Sequence, residues 1–240
     1  MKRSIVLLVL SLIGSAACSR EPADAPAHAA AAAEPSAWLR PPEVAAVARQ
    51  GGTLIVSGTA GPRARVVLRG WEGQAVAASA ALDGRFDIRL PAPSQDALLS
   101  LEVQSGEETF AAPTRLLVLR DETGPAVLLS AGQPTRRLGA GGPLDAVDSD
   151  GTAMILSGRA AAAPTVTLDG RPLPVVLADG RWRAEASASA GVIRVGKRVY
   201  DYPGGAGAAG FSAARAGAGW RVVWSPEAGG SQSVWLPDAA

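Results

Sequence analysis

Apolar residues along this chain recur at every second position in short runs, the period of a half-buried strand. Phe86, Ile88 and Leu90 alternate with Arg85, Asp87 and Arg89. Val66 pairs with Leu68, and Leu99 with Leu101 and Val103, while Leu117 and Leu119 continue the unit beyond the Ser105-Gly106-Glu107-Glu108 turn. Further on, Val192 to Val195 and Val199-Tyr200 read as strands, and Trp220, Val222 and Trp224 share a face opposite Arg221 and Val223. With Gln232 to Leu236 that last run predicts a C-terminal hairpin around a Pro226-containing turn. Asp83-Gly84 and Asp179-Gly180 read as type I′ hairpin turns, because those turns need positive φ at both central residues. The stretch 204–219 reads as a loose Ala/Gly loop.

The pattern repeats. Thr53-Leu54-Ile55-Val56-Ser57-Gly58 has a counterpart in Ala153-Met154-Ile155-Leu156-Ser157-Gly158, exactly 100 residues on. Val66-Val67-Leu68 answers to Val166-Thr167-Leu168, and Asp83-Gly84-Arg85-Phe86 to Asp179-Gly180-Arg181-Trp182 at a spacing of 96, so four residues are lost at a hairpin tip. Each Ser-Gly is expected to end its strand, with the glycine taking the left-handed conformation of a bend or bulge. Between the copies, 120–150 is Gly/Pro-rich, and Ala126 to Ser130 reads as the first strand of the second domain. The expected fold class is all-β, with one domain over 43–120 and another over 121–240 that includes the hairpin.

Composition agrees. Gly 28 and Pro 18 make about a fifth of 240 residues, above an average near 12%, which argues against a helical bundle. Aromatics are only 5%, so each core must be small.

The first 17 residues differ from the rest. Met1-Lys2-Arg3, the apolar run Ile5 to Ile13 and Gly14-Ser15-Ala16-Ala17 form the parts of a secretory signal, too short to cross ~30 Å of hydrocarbon. The sole cysteine, Cys18, follows directly. Ser15-Ala16-Ala17-Cys18 resembles the lipobox of bacterial lipoproteins, with Ser15 where Leu is usual. That resemblance implies lipidation of Cys18, a membrane anchored through that lipid, and a Gram-negative cell envelope as the location. Ser19 rather than Asp after the cysteine favours the outer membrane, facing the periplasm or the surface. Residues 18–42 then form a lipid anchor and Ala/Pro-rich linker, disordered by composition. About 22 extended residues would reach at most ~75 Å.

The order of strand, Ser-Gly-x-Ala, strand, turn, strand and Asp-Gly-Arg-aromatic turn over about 50–120 and 145–200 resembles bacterial immunoglobulin-like modules of secreted and surface proteins. The resemblance implies two immunoglobulin-like β-sandwich domains. Such units also accompany peptidoglycan-binding LysM proteins, but no LysM-like segment is visible here, and the paired cysteines and central Trp of antibody domains are absent.

Candidate chemistry is sparse. The only histidine, His28, sits in the linker, so a Ser-His-Asp site is excluded. Lys197 is the only lysine after the signal. Gly210-Phe211-Ser212-Ala213-Ala214 half resembles a nucleophile elbow and lacks a partner. No enzyme activity and no cofactor are expected. Removing Lys2 and Arg3 turns a net charge of +1 into −1, leaving no basic surplus for nucleic acid. Asp145, Asp148 and Asp150 before Gly151 invite a calcium reading, but Ser157 stands where the closing Glu belongs. Asp148 and Asp150 are the only metal candidates, and a solvated turn is the preferred reading. Trp71, at the tip Gly70-Trp71-Glu72-Gly73, is the best contact candidate. Trp220, Trp224 and Trp235 could form a binding platform, although filling a core is the favoured use. The expectation is a non-catalytic, lipid-anchored envelope protein acting as a structural or protein-binding module. The alternative is a glycan- or peptidoglycan-binding lipoprotein using exposed Trp.

Overall fold

The structure, a computed structural model, describes residues 40–239 except 71–72, 106–107, 206–209 and 227–228. The signal, Cys18, His28, the linker up to residue 39 and Trp71 therefore lie outside the described residues. What is described is all-β and antiparallel throughout, and it forms one compact unit.

The first repeat folds as β1 (Glu43–Gln50), β2 (Thr53–Thr59), β3 (Arg65–Arg69), β4 (Ala75–Ser79), β5 (Arg85–Pro91), β6 (Ala97–Ser105) and β7 (Glu108–Val118). Strands β1-β2-β5 form one sheet and β4-β3-β6-β7 run together in a second. The alternation read in the sequence fixes which side chains meet. Leu54 and Val56, Val66 and Leu68, Phe86 and Ile88, and Leu101 and Val103 are all buried in a single cluster between the sheets. Burying a side chain of that size stabilises by about 1.5–3 kcal/mol.

Strands β8 (Ala126–Ser130) and β9 (Gln133–Leu138) follow. β8 is hydrogen-bonded to β7, with Leu116 opposite Leu128, and β9 to β8. The strand expected to open the second domain thus extends the second sheet of the first, giving the order β4-β3-β6-β7-β8-β9.

The second repeat comprises β10 (Ala146–Ser149), β11 (Ala153–Arg159), β12 (Val166–Leu168), β13 (Arg171–Pro172), β14 (Val175–Ala178), β15 (Arg181–Ser187), β16 (Gly191–Val195) and β17 (Arg198–Tyr202). Its sheets run β14-β15-β11-β10 and β13-β12-β16-β17. Met154, Leu156, Val166, Trp182, Ile193 and Val195 fill the space between them. Three more strands, β18 (Ser212–Arg215), β19 (Gly219–Trp224) and β20 (Gln232–Pro237), extend the first of these sheets beyond β10 in the order β10-β20-β19-β18. The expected C-terminal hairpin is present, Trp220 facing Leu236 and Val222 facing Val234. Part of the expected loose loop is instead β18, paired to β19.

A third core joins the two repeats. On β7 and β8 the residues of opposite parity to the first core, Leu117, Val127 and Leu129, cluster with Trp220, Val222, Trp224, Val234 and Leu236 of β19 and β20. This is why Ala126 to Leu129 is apolar without alternation: both faces of β8 are covered.

Two turn readings change. Gly58 and Gly158 lie inside β2 and β11 and do not have positive φ. They are glycines because of close approach. A Cβ on Gly58 would stand 2.1 Å from the Glu43 carbonyl oxygen and 2.7 Å from the Phe86 ring. On Gly158 it would stand 2.1 Å from the Pro143 carbonyl oxygen and 2.8 Å from Trp182 Nε1. Asp179-Gly180 has positive φ at both residues (51° and 71°) and closes the β14–β15 hairpin. At Asp83-Gly84 only the glycine does (81°), because the chain there crosses from β4 to β5, which belong to different sheets.

Candidate functional site: an arginine-lined cleft

The tryptophans do not form a surface platform. Trp224 and Trp235 are buried and Trp220 is 8% exposed. Trp220 and Trp224 fill the third core. Trp235 points to the other face of β20, where it packs edge-on against Tyr202 at 5.7 Å between ring centroids and donates from Nε1 to the Ala216 carbonyl, 2.9 Å away. A ring enclosed in this way cannot stack on a sugar.

The aspartates go to separate partners. The Asp150 carboxylate accepts the backbone N–H groups of Thr152 and Ala153, both at 2.8 Å, closing the β10–β11 turn. Asp148 accepts the backbone N–H and the hydroxyl of Thr135 on β9. Desolvation of the Asp148 carboxyl outweighs both bonds and pushes its pKa up to about 6. Asp145 is fully buried among arginines. Among the described residues no three His, Cys, Asp or Glu side chains come together as a metal site.

What the fold does assemble is a cleft of about 300 Å³ where β1 and β2 meet β9, β11 and β15, lined by Glu43, Thr59, Arg136, Arg137, Arg159 and Arg181 among others. The two consecutive arginines of β9 point to opposite faces by the strand period. Arg136 donates across to the Val44 carbonyl of β1 at 2.6 Å. Arg137, 2% exposed, donates to the Pro237 carbonyl of β20. Arg159 and Arg181 stand directly opposite each other across β11 and β15, a like-charge pairing that is unfavourable by itself. Asp145 stands between them, its Oδ2 at 3.3 Å from Arg159 Nε and 3.6 Å from Arg181. Arg159 also donates to the Gly139 carbonyl at 2.7 Å.

Neutralisation is incomplete. Burial pushes the Asp145 carboxyl up, against the pull of Arg159, Arg181 and Arg137. Desolvation likewise lowers Arg137 and Arg181 from the usual arginine range. Arg137 Nε has no hydrogen-bond partner. Two neighbouring cavities, of about 330 and 400 Å³, also have Arg136 in their walls. One brings in Arg40, the other Arg183.

Sequence reasoning singled out none of these arginines, because it weighed charge over the whole chain. The available signals were the Arg136-Arg137 pair and Arg159 and Arg181 beside the repeated Gly158 and Gly180. No protein-family model matches the chain, and no curated protein matches it in sequence.

Proposed function

We propose that the protein is a lipid-anchored, non-catalytic module of the bacterial cell envelope, made of two immunoglobulin-like sandwiches and working by binding and structural support. The observation that carries the reading is the pair of sandwiches with an arginine-lined cleft at their junction. Arginine keeps its proton at any physiological pH, so guanidinium groups suit recognition of a partner and not proton transfer. The repeated order, β1-β2-β5 against β4-β3-β6-β7 and β10-β11-β15 against β13-β12-β16-β17, supports the immunoglobulin-like assignment. The lipobox-like Ser15-Ala16-Ala17-Cys18 supports the anchor.

Metabolic labelling with palmitate in a bacterial host tests the anchor. Label is expected on the native protein and lost in Cys18→Ser, which should also move the protein from the membrane to the soluble fraction. Equal labelling of the two would refute lipidation at Cys18.

A further inference from the structure

The geometry points to the cleft at the junction of the sandwiches as a binding site for a phosphate monoester, held by Arg136, Arg159 and Arg181 with Arg137 at its base. This goes beyond the binding role proposed above by naming a ligand class and a place.

Charge is the first argument. Four arginines, Arg136, Arg137, Arg159 and Arg181, are among the residues that line the cleft. The carboxylates beside them are buried Asp145, within ion-pair distance of Arg159 and Arg181, and Glu43 at the exposed wall. Asp238, the other carboxylate whose field reaches Arg137, is already held bidentately by Arg215 at 2.7 and 2.6 Å. Two positive charges are thus left over. A phosphate monoester carries about −1.5 to −2 near neutral pH and would balance them, whereas a single carboxylate would leave the site cationic.

Size is the second. About 300 Å³ falls at the small end of ligand pockets, which run from ~300 to 1,000 Å³, and admits a headgroup such as glycerol phosphate.

Calorimetric titration of the detergent-solubilised full chain tests the proposal, with glycerol 3-phosphate, glycerol, acetate and short-chain phosphatidic acid as probes. Saturable binding of a phosphate ester is expected, with none of glycerol and at least tenfold weaker binding of acetate. Binding of both phosphate esters places the source in either a soluble compound or a lipid headgroup, and binding of phosphatidic acid alone assigns it to lipid. Arg136→Gln and Arg181→Gln should each weaken binding at least tenfold. Arg136→Lys, which keeps the charge, should retain part of it, and thermal midpoints report whether each variant is folded. The proposal fails if neither ester binds, if acetate binds as tightly, or if folded Arg136→Gln and Arg181→Gln bind like the native protein. None of these outcomes bears on palmitate labelling of Cys18, so the anchor stands or falls separately.

Discussion

Gly58 and Gly158 owe their identity to what crosses above them. In each repeat a backbone carbonyl, of Glu43 or Pro143, passes over the glycine, and an aromatic ring, Phe86 or Trp182, lies against it. Trp182 Nε1 donates to that same Pro143 carbonyl at 3.0 Å. Gly158→Ala is therefore expected to destabilise the protein by about 2–4 kcal/mol, combining overpacking with the loss of a buried hydrogen bond. A urea midpoint within error of the native value would contradict this. Asp148 makes a second residue-scale prediction. Its folded-state pKa of about 6 lies above the ordinary 3.8, so between those values the folded protein holds more proton than the unfolded one. Stability from this group is greatest below about pH 4 and falls as pH rises through 6. Thr135 faces it from β9, Asp148's field reaches Tyr202, and burial shifts Asp145 in the same direction. Asp148→Asn should flatten that slope and raise stability at pH 7.5 by roughly 2–3 kcal/mol, as read from denaturant melts across the range. An unchanged slope would locate the pH dependence elsewhere.

At the scale of single strands, alternation was enough for some of those with one face buried, although β1, β4 and β14 went unread. Arg85 to Leu90 and the face of Trp220, Val222 and Trp224 were readable because the period of two is a local property. Pairing was not local. Ala126-Val127-Leu128-Leu129 read as the opening strand of the second domain because the run carries no record of its neighbours, which are β7 and β9 within the sheet and the tryptophans of β19 across the third core. The cleft was hidden for the same reason, since Arg136, Arg159 and Arg181 come from three strands that meet only after the sheets pack. Leu129 gives the corresponding test. It is fully buried in the third core, and Leu129→Ala is expected to cost about 2–5 kcal/mol, as much as Leu101→Ala in the first core. A loss below 1 kcal/mol would mean that this core contributes little.

Over the whole molecule, that third core decides how the two repeats behave together. Sandwiches joined only by a linker would melt in separate steps, each with its own midpoint. Here Leu117, Val127 and Leu129 of one repeat interlock with Val222, Val234 and Leu236 extending the other. Arg137 of β9 adds a bond to the Pro237 carbonyl of β20. A single calorimetric transition is expected, with near- and far-ultraviolet dichroism coincident. Two resolved transitions would show that the repeats are energetically independent.

The place of β20 has a consequence for the order of folding. It is hydrogen-bonded between β10 and β19, its Trp235 lying opposite Val147, about 90 residues earlier in the chain. During synthesis the second repeat can assemble most of its own sheets, but β10 keeps an open edge until the last strand arrives to cover it. Such a long-range closure is intrinsically slow. A chain interrupted before residue 232 would carry an uncapped strand and an uncovered third core, the two features that most invite pairing with another unfinished copy.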